Sequence, residues 1–405
     1  MSPVDGHRHI AIFSSSLAGG GVERCIVNLA RSFSERGHRV DLVLTNPRGP
    51  LLGDVPEGVR IVKLPAGPRS LGRWLAARSD PEALAVLARP VLLAAKPSPI
   101  LRYLRGLVRY LEREEPDALL GAMSINYSNL AALWARSLAR VSTRVVLTQP
   151  TILSRYAKDR RWRKRYLPDL ARHFYPLADD IVAVSQDVAD DVSQVTGVSP
   201  ERIHCIPNPV ITSELLAAAE SAPRHPFLAP GSPPFVMAAG RLHREKDFPT
   251  LLRAFARVRE GRPLRLILLG DGPEKARLEA LARELDLGND VSFPGFQANP
   301  YGFMRRAAAF VSSSLSEGFG NAIVEALACG CAVVSTRCPG GPVEILEGGR
   351  HGRLVPMGDW VALAEAMART LDEPPSHETL RRRGLEFSVD QSADRYLDVI
   401  LGTEA

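Results

Sequence analysis

The sequence predicts an α/β protein of two domains, each built on a parallel sheet. Three observations carry that reading. Short apolar runs alternate with amphipathic helical stretches in the rhythm of βαβ units, and such units build parallel sheets. The rhythm stops at Pro207-Asn208-Pro209 and restarts at Phe235. The chain has 405 residues, more than a single core of about 250–300 residues holds.

The elements follow in order. His9–Ser14 (HIAIFS) reads as the first strand, and Gly19-Gly20-Gly21 come after it. A helical pattern over 22–36 places Ile26, Leu29, Ala30 and Phe33 on one face. Gly37 ends it, and 39–45 (RVDLVLT) is the second strand. Further strands are expected at 60–64, 118–122, 144–148, 180–185 and 203–206. A helical stretch follows Pro209, and 223–234 then holds five prolines, so the domain boundary falls across 207–233. Beyond it, strands are expected at Phe235–Ala239, 265–270, 291–294, 308–312 and 332–335, with helices at 248–260, 274–286, 299–306 and Asn321–Ala328. A last helical stretch, Val389–Leu401, follows the final expected strand. Two open sheets of this kind imply a cleft between domains, with ligands at the carboxyl ends of strands.

Composition narrows the class. Apolar residues make up 45% and charged residues 24%, ordinary globular values that exclude a disordered or fibrous chain. The five cysteines, Cys25, Cys205, Cys329, Cys331 and Cys338, form no CxxC pair and no zinc-finger spacing. They read as reduced thiols of a cytoplasmic protein. No apolar run reaches the roughly 18 residues of a membrane span, and the start lacks a signal-peptide pattern. The net charge is +6. The segment 155–173 alone holds eight Lys/Arg against two Asp, so the remaining chain is neutral on balance. That argues against a general polyanion-binding surface.

The richest stretch is 312–330, SSSLSEGFGNAIVEALACG, running from a strand end through a glycine-rich loop into a helix. Such a helix start offers backbone N–H groups and the positive dipole end to a phosphate. Glu317 before it can accept hydrogen bonds from sugar hydroxyls, and Glu325 one turn inside can reach ribose hydroxyls. The spacing suits a nucleotide diphosphate-sugar, although either carboxylate alone also reads as a helix-end acid or a solvated helix face. Directly after the strand FVMAA comes Gly240-Arg241-Leu242-His243-Arg244-Glu245-Lys246. Arg241 and Lys246 there make a cationic site for a diphosphate and its growing charge, or an ordinary charged loop. Gly20 and Gly21 form a phosphate-approach loop or a tight turn. It is not GxGxxG, and Thr45-Asn46 stand where a dinucleotide fold has an acid. The turns around Gly272 and Phe296 follow strands and suit a base pocket or simple turns.

The order of these pieces resembles the family 4 retaining glycosyltransferases, with the GT-B fold of two Rossmann-like domains facing a cleft. The match is densest over 235–358. The family's E-x7-E signature stands as Glu317 and Glu325, its GR-x4-K as Gly240, Arg241 and Lys246, and its first-loop Gly-Gly-Val-Glu as Gly20 to Glu23. The resemblance implies domains at 1–207 and 234–386, a linker at 208–233, and a final helix (about 387–405) returning to the first domain. It implies that Arg241 and Lys246 bind the donor diphosphate and Glu325 the ribose. Glu317, with the backbone of Phe319, Gly320 and Asn321, would bind the transferred sugar and distal phosphate. Gly20 or Gly21 would close over the donor, and the main chain near Phe296 would touch the base. It implies no metal and no other cofactor. Many relatives carry a His after the strand that here reads DALLGA; Met123-Ser124-Ile125-Asn126 stand there instead, leaving Ser124 or Asn126 as candidates.

The expected reaction is therefore transfer of a sugar, from a UDP-sugar, to a glycan or lipid-linked acceptor. The alternatives are a GT-B sugar-nucleotide epimerase, or a basic non-catalytic protein binding nucleic acid or membrane. The segment 155–173 mixes cations with Tyr156, Trp162 and Tyr166, which suits an anionic membrane surface, nucleic acid or a solvated helix. The resemblance tips it toward membrane, with Arg160, Arg161, Trp162, Arg163 and Lys164 as contacts. A second amphipathic stretch, 100–113, reads as a core helix or a membrane-facing one.

Overall fold

The computed structural model describes residues 7–18, 20–121, 127–158 and 162–402. The chain divides into two compact units, Met1–Pro209 with Val389–Ala405, and Val210–Ser388. No helix among the described residues is long and apolar enough to cross a membrane.

The first unit holds β1 (His9–Ser14), β2 (Arg39–Leu44), β3 (Val59–Lys63), β4 (Ala118–Gly121), β5 (Arg144–Gln149), β6 (Asp180–Ala183) and β7 (Ile203–Cys205). They form one parallel sheet in the order β3-β2-β1-β4-β5-β6-β7. The strand order reverses between β1 and β4, which lie side by side with Ile10 opposite Ala118. Helices cover both faces, so the strands are continuous apolar runs: Ile10, Ala11, Ile12 and Phe13 are fully buried. The helix Val389–Leu401 belongs to this unit, burying Ala393, Tyr396, Val399 and Ile400. Its flank is fixed by Arg36 on Asp394 at 2.8 Å and by Ser392 Oγ donating to the Pro207 carbonyl at 3.0 Å. The amphipathic stretch 100–113 is core: the helix Leu104–Glu114 buries Leu104, Leu107, Val108 and Leu111.

The amino end of this sheet is locked by charge. Asp41 is fully buried and accepts from Arg60 Nε at 2.8 Å and Tyr110 OH at 2.6 Å, with His9 Nε2 at 2.9 Å. Burial alone would raise its pKa. The hydrogen bonds from Arg60, His9 and Tyr110 outweigh that and hold the carboxyl far below the usual carboxylate range.

The second unit holds β8 (Phe235–Ala239), β9 (Arg265–Leu269), β10 (Val291–Gly295), β11 (Ala309–Ser312), β12 (Val333–Thr336) and β13 (Arg353–Val355). Its parallel order is β10-β9-β8-β11-β12-β13, with the reversal between β8 and β11. The edge strand β13 was not expected from the sequence, because Leu354 and Val355 alone are too short an apolar run to read. The expected helix 299–306 is shorter, Tyr301–Met304, with the Asn299 side chain capping its start by accepting from the N–H groups of Tyr301 and Gly302. The expected linker is folded from Val210 onward. It carries the helix Ser213–Glu220, capped by Thr212 on the Leu215 N–H at 3.1 Å. That helix buries Leu215 and Ala219 and is tied to the second unit by Asn299 Nδ2 on the Ala218 carbonyl at 2.8 Å.

Candidate active site

In an open α/β sheet the loops after the two strands flanking a reversal splay apart and leave a crevice. In the second unit those strands are β8 and β11. The loop after β8 carries Gly240, Arg241 and Lys246; the loop after β11 carries Glu317, Phe319 and Gly320 and opens into the helix Asn321–Ala328. The sequence motifs, 71 residues apart between Lys246 and Glu317, thus meet at one place.

The meeting is direct. Lys246 Nζ lies 2.5 Å from Glu317 Oε1, with the two side chains 26% and 15% exposed. Ser314 Oγ donates to the same carboxylate oxygen at 2.6 Å. Below this pair the two loops are laced together: Ser313 Oγ donates to the Lys246 carbonyl at 2.7 Å, and the Leu315 N–H to the Glu245 carbonyl at 2.8 Å. The Lys246 side chain runs across Gly240, where an added Cβ would meet its Cε at 3.2 Å. Arg241 is exposed, and its side chain has no ion pair or hydrogen bond among the described residues. The pair is neutral by itself, and Arg241 adds a positive charge to the loop after β8.

The helix after Glu317 starts at Gly320, whose φ of 115° no other residue adopts without strain. Its carbonyl accepts from the Ile323 N–H at 2.8 Å. Phe319 is buried and packs edge-on against Phe387 with centroids 5.6 Å apart, so it anchors the loop with its ring and presents only backbone to the crevice. Glu325 is half-buried one turn into the helix. Gly272 is explained by packing: a Cβ there would lie 2.3 Å from the Leu242 carbonyl, where the loops after β8 and β9 touch. Phe296 is 64% exposed, and its N–H is taken by Asp271 Oδ2 at 3.2 Å. A base at that point has the Phe296 ring and carbonyl to meet, not its N–H.

Two contributors escaped the sequence reading. Ser314 orients Glu317. Gly340-Gly341, in the loop after β12, press on the backbone of the Glu317 loop: a Cβ on Gly340 would stand 1.8 Å from the Glu317 carbonyl, and one on Gly341 2.3 Å from that of Phe319. The Glu317 N–H donates to the Pro339 carbonyl at 3.1 Å. The run Pro339-Gly340-Gly341-Pro342 was the available signal. Cys338 is buried beside this loop; desolvation first, and then the Glu317 charge, push its thiol up to about 11.

The first unit repeats the topology, with the loop after β1 at its own reversal. Gly20 and Gly21 lie there at the start of the helix Gly21–Glu35. A Cβ on Gly20 would meet Glu23 Oε2 at 2.4 Å. A carboxylate of the chain itself therefore stands over the helix start, where the glycine loop reads as a phosphate site. Ser124 and Asn126, after β4, lie outside the described residues, as do Arg160 and Arg161 and the side chains of Trp162 and Arg163. Within the same basic segment Lys164 Nζ lies 5.2 Å from the Tyr156 ring centroid, and Tyr156 and Leu167 are buried. Those apolar side chains face the core.

The model of the family described as "Glycosyltransferase Family 4" matches residues 19–214, and that of "Glycosyl transferases group 1" matches residues 222–387. The chain belongs to the family 4, group 1, glycosyltransferases. This glycosyltransferase is 28% identical over 370 residues, 90% of each chain, to the N-acetylgalactosamine-N,N'-diacetylbacillosaminyl-diphospho-undecaprenol 4-alpha-N-acetylgalactosaminyltransferase of Campylobacter jejuni. It is 37% identical over 169 residues to the lipopolysaccharide core biosynthesis glycosyltransferase LpsD of Rhizobium meliloti, covering 40% of this chain and 48% of that one. HepE of Anabaena, solved in complex with UDP, shares the fold, with a TM-score of 0.73 at 21% identity, covering 98% of this chain and all of that one. The architecture is GT-B, two doubly wound α/β domains.

Proposed function

We propose that this glycosyltransferase moves a sugar with retention of configuration from a UDP-sugar to a glycan or lipid-linked acceptor, in assembly of a cell-surface polysaccharide or glycolipid. The observation that carries the reading is the Lys246–Glu317 pair at the β8/β11 reversal, with Arg241, unpartnered among the described residues, in the same loop. In this reading Arg241 and Lys246 hold the diphosphate and neutralise the charge that grows on it as the sugar C1–O bond breaks. The two cations supply, in this reading, the charge stabilisation that a divalent ion gives elsewhere, and turnover is expected without added metal. Glu317 and the backbone of Phe319, Gly320 and Asn321 hold the sugar and distal phosphate, and Glu325 the ribose. The acceptor oxygen bonds to C1 on the face that the phosphate leaves, and its proton passes to the departing phosphate oxygen. That route needs no histidine after β4, which suits Met123-Ser124-Ile125-Asn126. The UDP of HepE and the undecaprenol-linked substrate named for the Campylobacter relative support this donor and acceptor class. A lipid-linked acceptor places the enzyme as a peripheral protein at the cytoplasmic face of the cell membrane.

The test is Glu317→Gln, assayed against UDP-sugars with membrane extracts as acceptor source. Transfer falls by about 10²–10³, while UDP still raises the thermal midpoint, because Arg241, Lys246, Glu325 and the loop backbone that hold the nucleotide remain. Normal transfer by Glu317→Gln, or a wild-type protein stabilised by none of UDP, GDP or ADP, sinks the proposal.

A further inference from the structure

The insert between β3 and β4 is unlike the rest of the first unit. Residues 69–109 hold eight Lys/Arg against two acids, a net +6 equal to that of 155–173. The chain outside these two segments is therefore acidic on balance. Elsewhere in the unit several arginines are paired, Arg60 and Arg39 with Glu114, Arg136 with Asp179 and Arg144 with Asp180, while exposed Arg48 and Arg140 have no ion pair among the described residues. In the insert, Arg78, Arg89 and Lys96 are exposed and have no ion pair among the described residues. Among them stand large apolar side chains in water: Leu93 is 79% exposed, Trp74 54% and Leu84 48%.

These features belong to one surface element. Trp74 and Arg78 lie one turn apart on the helix Arg69–Ser79, with the Arg78 guanidinium 5.2 Å from the Trp74 ring centroid. The neighbouring Arg73 donates to the Ala94 carbonyl, which fastens the Leu93 turn beside that helix. The insert is joined to the second basic segment, with His173 Nε2 2.7 Å from Asp80 Oδ2. One of its two acids is thereby engaged by a basic residue.

We infer that this insert docks the enzyme on an anionic lipid bilayer, with Trp74, Leu84 and Leu93 entering the interface and Arg78, Arg89 and Lys96 facing the headgroups. Charge complementarity selects the partner's sign, and the apolar side chains select its kind. An indole and two leucines amid cations gain from a bilayer interface, where rings and cations have preferred depths. A free phosphate or nucleic-acid backbone offers the leucines nothing. The insert leaves the carboxyl end of β3, the end at which ligands of such sheets bind. The inference rests on the lipid-linked acceptor proposed above and locates the surface that the sequence assigned to 155–173.

The experiment is flotation of the full chain with vesicles of phosphatidylcholine alone and of phosphatidylcholine and phosphatidylglycerol in equal amounts. Binding is expected only to the anionic vesicles and is lost at roughly 0.5 M salt. Each cation near the surface contributes about fivefold, so Arg78→Gln, Arg89→Gln and Lys96→Gln together weaken partitioning roughly a hundredfold. Leu93→Asp also weakens it, and the vesicle-induced blue shift of tryptophan emission is lost in Trp74→Phe. All five side chains are exposed, so thermal midpoints stay unchanged and the folded state is the one compared. Failure of the wild-type protein to bind anionic vesicles at low salt overturns the inference. So does a loss that follows Lys164→Gln and Arg165→Gln but not the insert variants, or binding of an RNA oligomer in place of vesicles. UDP stabilisation is measured on the same samples. Its absence counts against the transferase reading and leaves the lipid result standing on its own.

Discussion

Gly340→Ala tests the architecture of the site more sharply than removal of a charged side chain. Gly340 touches neither Lys246 nor Glu317 with a side chain, because it has none. Its φ is 111°, and an added Cβ would stand 1.8 Å from the Glu317 carbonyl oxygen, where real Cβ contacts under 3.0 Å essentially never occur. The Glu317 backbone must then retreat by about 1.2 Å, since the opposing atom is main chain and not a flexible tip. A displacement of that size costs on the order of 10²-fold in rate. The forced left-handed backbone adds about 1–3 kcal/mol of instability. Gly348→Ala is the control: its φ is 68°, yet nothing lies within 4 Å of the added Cβ. The assay is donor turnover on both variants, with thermal midpoints alongside. Both are expected to lose a few degrees, and only Gly340→Ala to lose about a hundredfold in kcat/KM. Equal activity of the two variants would refute the claim that the loop after β12 sets the position of Glu317.

Two further outcomes follow from the same contacts. Arg241→Ala leaves the thermal midpoint within error, because the side chain is exposed and unpartnered, and weakens UDP binding about 10- to 100-fold by calorimetry through loss of a charge-assisted contact. Asp41→Asn lowers stability by about 3 kcal/mol in denaturant titrations, by stripping Arg60, His9 and Tyr110 of a buried anion. The folded-state pKa of Asp41 is depressed, so its contribution is complete above the unfolded value of about 4 and is lost as pH falls below it. The wild-type protein therefore loses stability more steeply than Asp41→Asn on acidification below about pH 5; parallel curves would show that this carboxylate is not held ionised.

Much of the fold was legible because buried parallel strands are continuous apolar runs. Twelve of the thirteen strands among the described residues coincide with apolar runs in the sequence, and the one missed, Arg353–Val355, offers only Leu354 and Val355 as a run. After Pro209 the sequence shows a helical stretch but not the unit to which it belongs. The prolines around it punctuate a turn-rich path, but Leu215 and Ala219 bury a helix against the second unit, and composition does not report packing. The candidate site was legible as motifs because a backbone anion site would demand glycine at fixed places and cations near strand ends. What the motifs do not contain is the partner that holds them. Ser314 matters through the Glu317 oxygen 2.6 Å away, and Gly340 because a Cβ there would stand 1.8 Å from the Glu317 carbonyl.

The sequence by itself determined the two α/β domains, the family and the charged residues of the site, since each depends on local pattern or spacing. Tertiary structure decided the rest. It brought Lys246 to Glu317 across 71 residues, because only the reversal of strand order makes β8 and β11 neighbours. It put the Glu23 carboxylate over the first helix start, and turned Tyr156 and Leu167 inward while leaving Trp74 and Leu93 in water. Exposure and pairing are properties of the packed chain, and no count along the sequence contains them.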